Sequence, residues 1–503
     1  MPDPLPTADV LVVGGGSAGA VLAARLSQDP ARTVLLLEAG PAYAPYAFPA
    51  SILDAGTFPD PDHDWNYTSR ATDQAPRIPN PRGKVLGGSS AVNAGVALRA
   101  RPSDFAAWAE YGADGWSFSD VLPAYRQLEN TPVGEDAFHG RTGPLPVRQR
   151  ADEELPPALL GFIDAAVANG FKRVHDLNGA EQDGVDSEPF NVVDGIRQNT
   201  AMAYLTAEVR QRPNLTIRGG VTVDRVLFKR TVATGVVTAD GAVYRSREVI
   251  LSGGSYGSAA ILLRSGVGPA DDLRALGIAP VADLPVGRRL QDHPLFTASY
   301  ALEPRYAQPG PAATALLWTA SGEDAPGELD LHILAACVPE TPLSPTGGMV
   351  GLAVALVRPD SVGTLKLASR DPAHPPLIDD NFLAAGRDAR RMLQGVKLGR
   401  ALARHPRFAP FLAGELIPGD AVDDNALDAV IPANLATYGH PVATVAMGGW
   451  NDPQAVVDSV GAVKGVRGLR VVDASIIPEI PSAPINLTVI MLAERIYQRV
   501  YAA

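Results

Sequence analysis

Three glycines, Gly14, Gly16 and Gly19, follow the apolar run Val10-Leu11-Val12-Val13, and Glu38 lies 19 residues beyond the last of them. This spacing has the chemistry of a dinucleotide site. Glycines let the backbone turn tightly against a pyrophosphate, and a helix starting there aims free N–H groups and its dipole at the phosphates. A carboxylate at the end of the next strand accepts from a ribose 2′-hydroxyl, which argues against a 2′-phosphate and so against NADP. It does not separate NAD from FAD. Because 49 of the 503 residues are glycine, the triplet alone arises by chance in roughly half of such chains. The context of strand, loop, amphipathic helix, strand and acid, all within residues 9–38, is what gives it weight.

Other reactive side chains are sparse. Cys337 is the only cysteine, so internal disulfides and Cys-based metal sites are excluded. Its setting, Leu334-Ala335-Ala336-Cys337-Val338, reads as a small core residue. The eight histidines are scattered, with no His-x-x-x-His pair and no HExxH, and no metal is expected.

The elements that must position these groups are partly readable. Residues 9–13 form a buried strand, and Ala18, Val21, Leu22 and Leu26 mark one face of a helix. Residues 34–37 form a second strand, completing a β-α-β unit with a right-handed crossover. The Pro- and Asp-rich stretch 41–82 reads as a long extended excursion over the surface, and helical material resumes over 102–130. Strand signals occur at 215–218, 223–228 and 248–251. Alternation at 329–333 and again at 364–367 predicts one antiparallel sheet with a single covered face. Residues 385–430 read as helical, and a closing helix spans about 487–500.

Composition is that of an ordinary globular chain: 46% hydrophobic and 19% charged, with a net charge of −12. No Lys/Arg-rich run supplies the counterion-release energy of nucleic-acid binding. No signal-peptide pattern opens the chain and no 18 apolar residues run together, so no membrane span is expected and a cytoplasmic location is the reading.

Longer motifs extend the picture. Gly83-Lys84-Val85-Leu86-Gly87-Gly88-Ser89-Ser90-Ala91-Val92-Asn93 resembles the first signature of the glucose–methanol–choline (GMC) oxidoreductases. Gly254 to Gly268 resembles the second, departing at Ala259 where Pro or Ser is usual, and Asp292-His293-Pro294 also fits. Tyr438-Gly439-His440-Pro441 resembles the family's catalytic segment, Gly468 to Ser475 its closing FAD segment, and Pro481 to Thr488 leads into Glu494-Arg495.

The resemblance implies an α/β protein whose Rossmann-like FAD-binding domain is discontinuous (1–155, 196–296 and 431–503). A substrate-binding domain (156–195 and 297–430) is inserted into it, built on an antiparallel sheet flanked by helices. It implies oxidation of a primary alcohol by hydride transfer to the flavin, with His440 as general base and Asn486 positioning the substrate oxygen. An amide can hold an oxygen but cannot take a proton at neutral pH, so the two roles are unequal. FAD contacts are implied at Gly14, Gly16, Ser17, Ala18, Gly19, Glu38 and Ala39 in the first unit, and at Arg82, Val85, Gly88, Ser89, Asn93 and Ala94 in the second. Others fall on Val223 at the adenine end, Ser252 and Gly253, Asp473 and Ala474, and Asn486, Leu487 and Thr488. Some relatives attach FAD through a histidine where this chain has Val92, which has no nucleophilic atom, so non-covalent FAD is expected. His293 reads as structural. The partners implied are an alcohol and either O2 or another electron acceptor; the identity of the alcohol, the choice of acceptor and the oligomeric state stay open. A hydroxynitrile lyase using FAD without redox chemistry, or a catalytically silent flavoprotein, would use the same fold.

Overall fold

Strands without polar alternation need cover on both faces, the condition of a parallel sheet between helices. The computed structural model, which describes residues 7–56, 60–307, 313–323, 327–338 and 341–502, places Ala8–Val13 in that setting. It runs parallel to Val34–Leu37 on one side and to Val243–Leu251 on the other. Leu215–Arg218 extends the sheet past Val34–Leu37, and Leu469–Val471 joins Val243–Leu251 in parallel. Two antiparallel strands, Val223–Lys229 and Val232–Thr238, complete the seven.

The register matters more than the order. Val13 stands opposite both Leu37 and Leu251, so three strands end together and Gly14, Glu38 and Ser252 leave from one edge. In open α/β sheets this edge, outside the carboxyl ends of the strands, is where ligands bind. Helix Ser17–Leu26 starts there and packs on the closing helix Asn486–Val500. Arg25 and the fully buried Glu494 join the two helices as an ion pair at 2.7 Å.

A second sheet carries the alternating pattern. Its order is Leu412–Ile417, Pro294–Leu302, Met349–Leu356, Leu331–Val338, Thr314–Thr319 and Gly184–Ser187, with Ala436–Thr437 also on Pro294–Leu302. One face (Phe296, Leu317, Ile333, Leu352, Val354) is buried beneath helices Pro157–Ala168 and Gly386–Ala403. Gly395 allows that close approach: a Cβ there would lie 2.7 Å from Val354. On the other face Leu295, Thr297, Leu334 and Ala353 are only half-buried, and Trp318 stands opposite His332. The α/β architecture and helix-flanked antiparallel sheet are as expected.

Three local expectations are corrected. Residues 385–430 are not helical throughout: the helix ends at Ala403 and Leu412–Ile417 is a sheet strand. Pro406 and Pro410 lack the N–H that a continuing helix needs. The alternation at Thr364–Lys366 belongs to a separate four-stranded sheet, paired with Leu377–Asp379. That sheet also takes the hairpin Tyr67–Arg70 and Arg77–Asn80, so the stretch 41–82 is not merely an extended excursion. Its pairing partner lies some 300 residues away, beyond any local signal. No helix among the described residues is long and apolar enough to cross a membrane.

Candidate active site

The two glycine loops meet face to face. The amide of Gly87 donates to the carbonyl of Gly15 at 2.8 Å. Gly88 has φ 54°, and a Cβ on it would lie 2.7 Å from the Cα of Gly16. Gly16 in turn has nothing else within 4 Å of its own Cβ direction. A side chain at either position would separate the loops or fill the space above them. The opening therefore fits a pyrophosphate lying across Gly14, Gly16 and Ser17, which are half-buried, while Ala18 and Gly19 are buried beneath. Glu38 is buried, with Oε2 accepting from the Gly15 amide and Oε1 from the Gly40 amide, both at 2.8 Å. Burial raises its pKa and these amides oppose the rise. It thus buttresses the first loop, and each oxygen keeps a lone pair for a ribose hydroxyl. Ala39 beside it is half-buried.

The remaining expected FAD positions divide into side chains at the opening and side chains turned into the core. Asn93 folds its Oδ1 onto the Gly95 amide at 3.0 Å and Ala94 is exposed. Ser89 Oγ accepts from the Gly83 amide at 3.1 Å. Val85 and Leu487 are core side chains, as is Thr488, whose hydroxyl bonds Tyr125 Oη at 2.8 Å, so these positions could offer a ligand only backbone. Ser252 Oγ donates to the Val472 carbonyl, and the Gly253 amide donates to Ser258 Oγ. Asp473, next to the buried Ala474, accepts from the Gly254 amide, Ser258 and Ser475. It caps the helix Gly254–Arg264 from below. Val223 is buried and pairs with Thr238.

His440 is reached by a separate set of bonds. Asp292 is the joint: its Oδ1 accepts from the backbone amides of both His293 and His440 at 2.7 Å, and its Oδ2 accepts from Thr437 at 2.6 Å. Arg82 Nη1 donates to the Gly439 carbonyl at 2.7 Å. The two imidazoles then meet, Nδ1 to Nδ1, at 3.0 Å. His293 lay outside the chemistry on sequence alone; the structure puts it in contact with His440. Burial pushes the pKa of His293 down to about 3. Burial, with help from His293, Arg82 and His332, holds His440 well below the usual imidazole range.

Sequence reasoning passed over three neighbours: Tyr438, its ring 4.5 Å from that of His440; His332, 6.1 Å from Tyr438; and Trp318, 4.9 Å from His332. Strand alternation puts Trp318 and His332 on one face, but nothing in the sequence says which face meets His440. Asn486 is bonded elsewhere. Its Oδ1 accepts from Ser17 Oγ at 2.7 Å, which ties it to the phosphate loop, and among the described residues no hydrogen bond joins it to His440.

Segments distant in sequence are thus joined: the two glycine loops through Gly87 and Gly15, the second loop to the His440 segment through Arg82 and Gly439, and the first loop to the closing helix through Ser17 and Asn486. Family models described as GMC oxidoreductase match residues 8–295 and 359–493. Mouse mitochondrial choline dehydrogenase is 38% identical, over 96% of this chain and 88% of that protein. The 5-(hydroxymethyl)furfural oxidase of Methylovorus sp. is 36% identical, over 97% of each. The crystal structure of pyridoxine 4-oxidase from Mesorbium loti superposes with a TM-score of 0.91 at 32% identity, covering 99% of this chain and 100% of that one. The convergence of the loops, the fold and these matches agree: the chain belongs to the GMC oxidoreductase family, FAD-dependent enzymes acting on CH–OH donors.

Proposed function

We propose that this enzyme oxidises a primary alcohol to an aldehyde, with His440 as the base that takes the hydroxyl proton. FAD, when bound, supplies the acceptor for the hydride of the carbinol carbon. One observation carries the assignment of the base: the Nδ1–Nδ1 contact of His440 with His293. The backbone carbonyls of Val357 and Pro481 act on the His293 ring, whose buried Nε2 has no hydrogen-bond partner among the described residues. Carbonyls only accept, so they favour the proton of a neutral His293 on Nε2 and leave its Nδ1 as acceptor. His440 must then donate from Nδ1, which leaves the Nε2 lone pair free for the substrate hydroxyl. Burial keeps His440 unprotonated and ready.

Asn486 takes the secondary role. With Oδ1 held by Ser17, its amide N–H is the group left to support the substrate oxygen or the cofactor edge beside it. Val92, apolar and buried, supports dissociable FAD. We assign residues 1–155, 196–296 and 431–503 to cofactor binding, and 156–195 and 297–430 to the substrate side. The test is anaerobic addition of primary alcohols while the visible flavin bands are followed. Bleaching by an alcohol, slowed ~10²–10⁴-fold in His440→Ala as expected for a lost general base, is the result this reading requires. A bound flavin that no alcohol bleaches would sink it.

A further inference from the structure

His440 is not held by its side chain alone. The carbonyl of Gly439 and the amide of His440 belong to one peptide group, and that group is gripped at both ends. Arg82 Nη1 donates to the carbonyl at 2.7 Å, and the amide donates to Asp292 Oδ1, also at 2.7 Å. A cation thus faces the negative end of the peptide dipole and a carboxylate the positive end. Both bonds are charge-assisted, the stronger class, and Asp292 is buried, where water screens it little. Gly439 has φ 90°, a region that glycine enters at little steric cost. Such a backbone would otherwise be free to turn the peptide over. A turned peptide would aim its oxygen at Asp292 and its N–H at Arg82, so the two charges oppose the flip. The fit is close: a Cβ on Gly439 would lie 3.0 Å from Arg82 Nη2.

Asp292 also reaches the preceding peptide. The Gly439 amide donates to Thr437 Oγ1 at 2.7 Å, and that hydroxyl donates to Asp292 Oδ2 at 2.6 Å. Arg82, for its part, is rooted in the second glycine loop. Its amide donates to Asp64 Oδ1 at 2.7 Å, its carbonyl accepts from the Trp65 amide at 3.0 Å, and the next amide, of Gly83, donates to Ser89 Oγ at 3.1 Å. The same loop meets the first one through Gly87 and Gly15. Resting on the reading of His440 as base, we propose that Arg82 and Asp292 are a pair of positioning residues that clamp the Gly439–His440 peptide, so that the seating of the second glycine loop sets the direction of the base. This role of Arg82 is separate from the FAD contact expected of it, because it runs through the backbone of the base.

The test is a double-mutant cycle on the holoenzyme, read by anaerobic flavin reduction with the best of an aryl, an alkyl and a cationic primary alcohol (benzyl alcohol, hexanol and choline). Rates are taken per bound flavin, so loss of cofactor does not count as loss of rate. Arg82→Met and Asp292→Ala should each lower the limiting rate by ~10²-fold, the scale of a base misplaced by about 1 Å, with KM changed little. Lesions of one clamp do not multiply. The double variant should match Asp292→Ala within about twofold, whereas independent lesions would give a product of ~10⁴-fold. Arg82→Lys, which keeps the charge and a donor, should recover most of the rate. Where Arg82→Met or Asp292→Ala binds no flavin, Arg82→Gln or Asp292→Asn replaces it in the cycle. Multiplying effects, or a loaded Arg82 variant that is reduced at the wild-type rate, would overturn the clamp and leave His440 as the base. A wild-type flavin that none of the three alcohols reduces would overturn the reading of His440 and the clamp with it.

Discussion

His440 and His293 meet through a single Nδ1–Nδ1 hydrogen bond of 3.0 Å, their rings 81° apart. Near-perpendicular rings sharing one proton let each fix the orientation of the other. His293→Ala should therefore lower the rate of flavin reduction by roughly 10–100-fold, the range for partners that orient a functional imidazole, with KM changed little. A merely structural His293 would lower the yield of folded, flavin-loaded protein instead. Single-turnover reduction of the purified variant separates the two outcomes.

The same burial sets a pH profile. An imidazole held below its usual pKa of ~6.5 is already neutral at pH 6.5. Alcohol-dependent kcat/KM should thus be flat from about pH 6.5 upward, with its acid limb displaced below that value. An acid limb centred at 6.5 or above would contradict the assignment of His440 as a buried neutral base.

Stability should respond to pH through a different histidine. His139 Nδ1 meets Glu129 at 3.0 Å and its Nε2 meets Asp176 at 2.9 Å. Burial opposes its charge, but the two carboxylates outweigh burial and raise it to about 9. A raised folded-state pKa means that this contribution is complete below the unfolded value of ~6.5 and is lost as pH climbs through about 9. The gap in Tm between wild type and His139→Gln should be widest at or below pH 6.5 and should shrink toward pH 9. A gap independent of pH would show that His139 acts through packing alone.

Cofactor retention is tested at the loop contact. Gly88→Ala puts a Cβ 2.7 Å from the Gly16 Cα at a positive φ of 54°, a conformation costing on the order of 1–3 kcal/mol for other residues. The variant should purify with less FAD per protein than wild type, measured from the absorbance spectrum. With Val92 in place, acid precipitation of wild type should leave all the flavin in the supernatant.

The β-α-β unit was legible because its apolar runs, glycines and acid are contiguous over 30 residues. The large sheet was legible as alternation, since a half-buried strand writes its faces into a period of two. What the sequence hid was pairing over long separations: the hairpin 67–80 finds its sheet near residue 378, and no local pattern announces that. The site shows the same limit. His440 stands in a long motif, whereas the contact of His293 with it depends on Asp292 holding two backbone amides 147 residues apart. Asn486 was visible as a residue, but its bond to Ser17 was not.

That Ser17–Asn486 bond joins residues 469 positions apart, and Arg25–Glu494 spans the same distance. The first glycine loop is thus synthesised hundreds of residues before the helix that braces it. At ~5–20 residues per second, the glycine loops wait on the order of half a minute or more for the helix that completes them. A chain cut before residue 486 would lack both braces on the first glycine unit, the Asn486 bond to Ser17 and the Glu494 pair with Arg25.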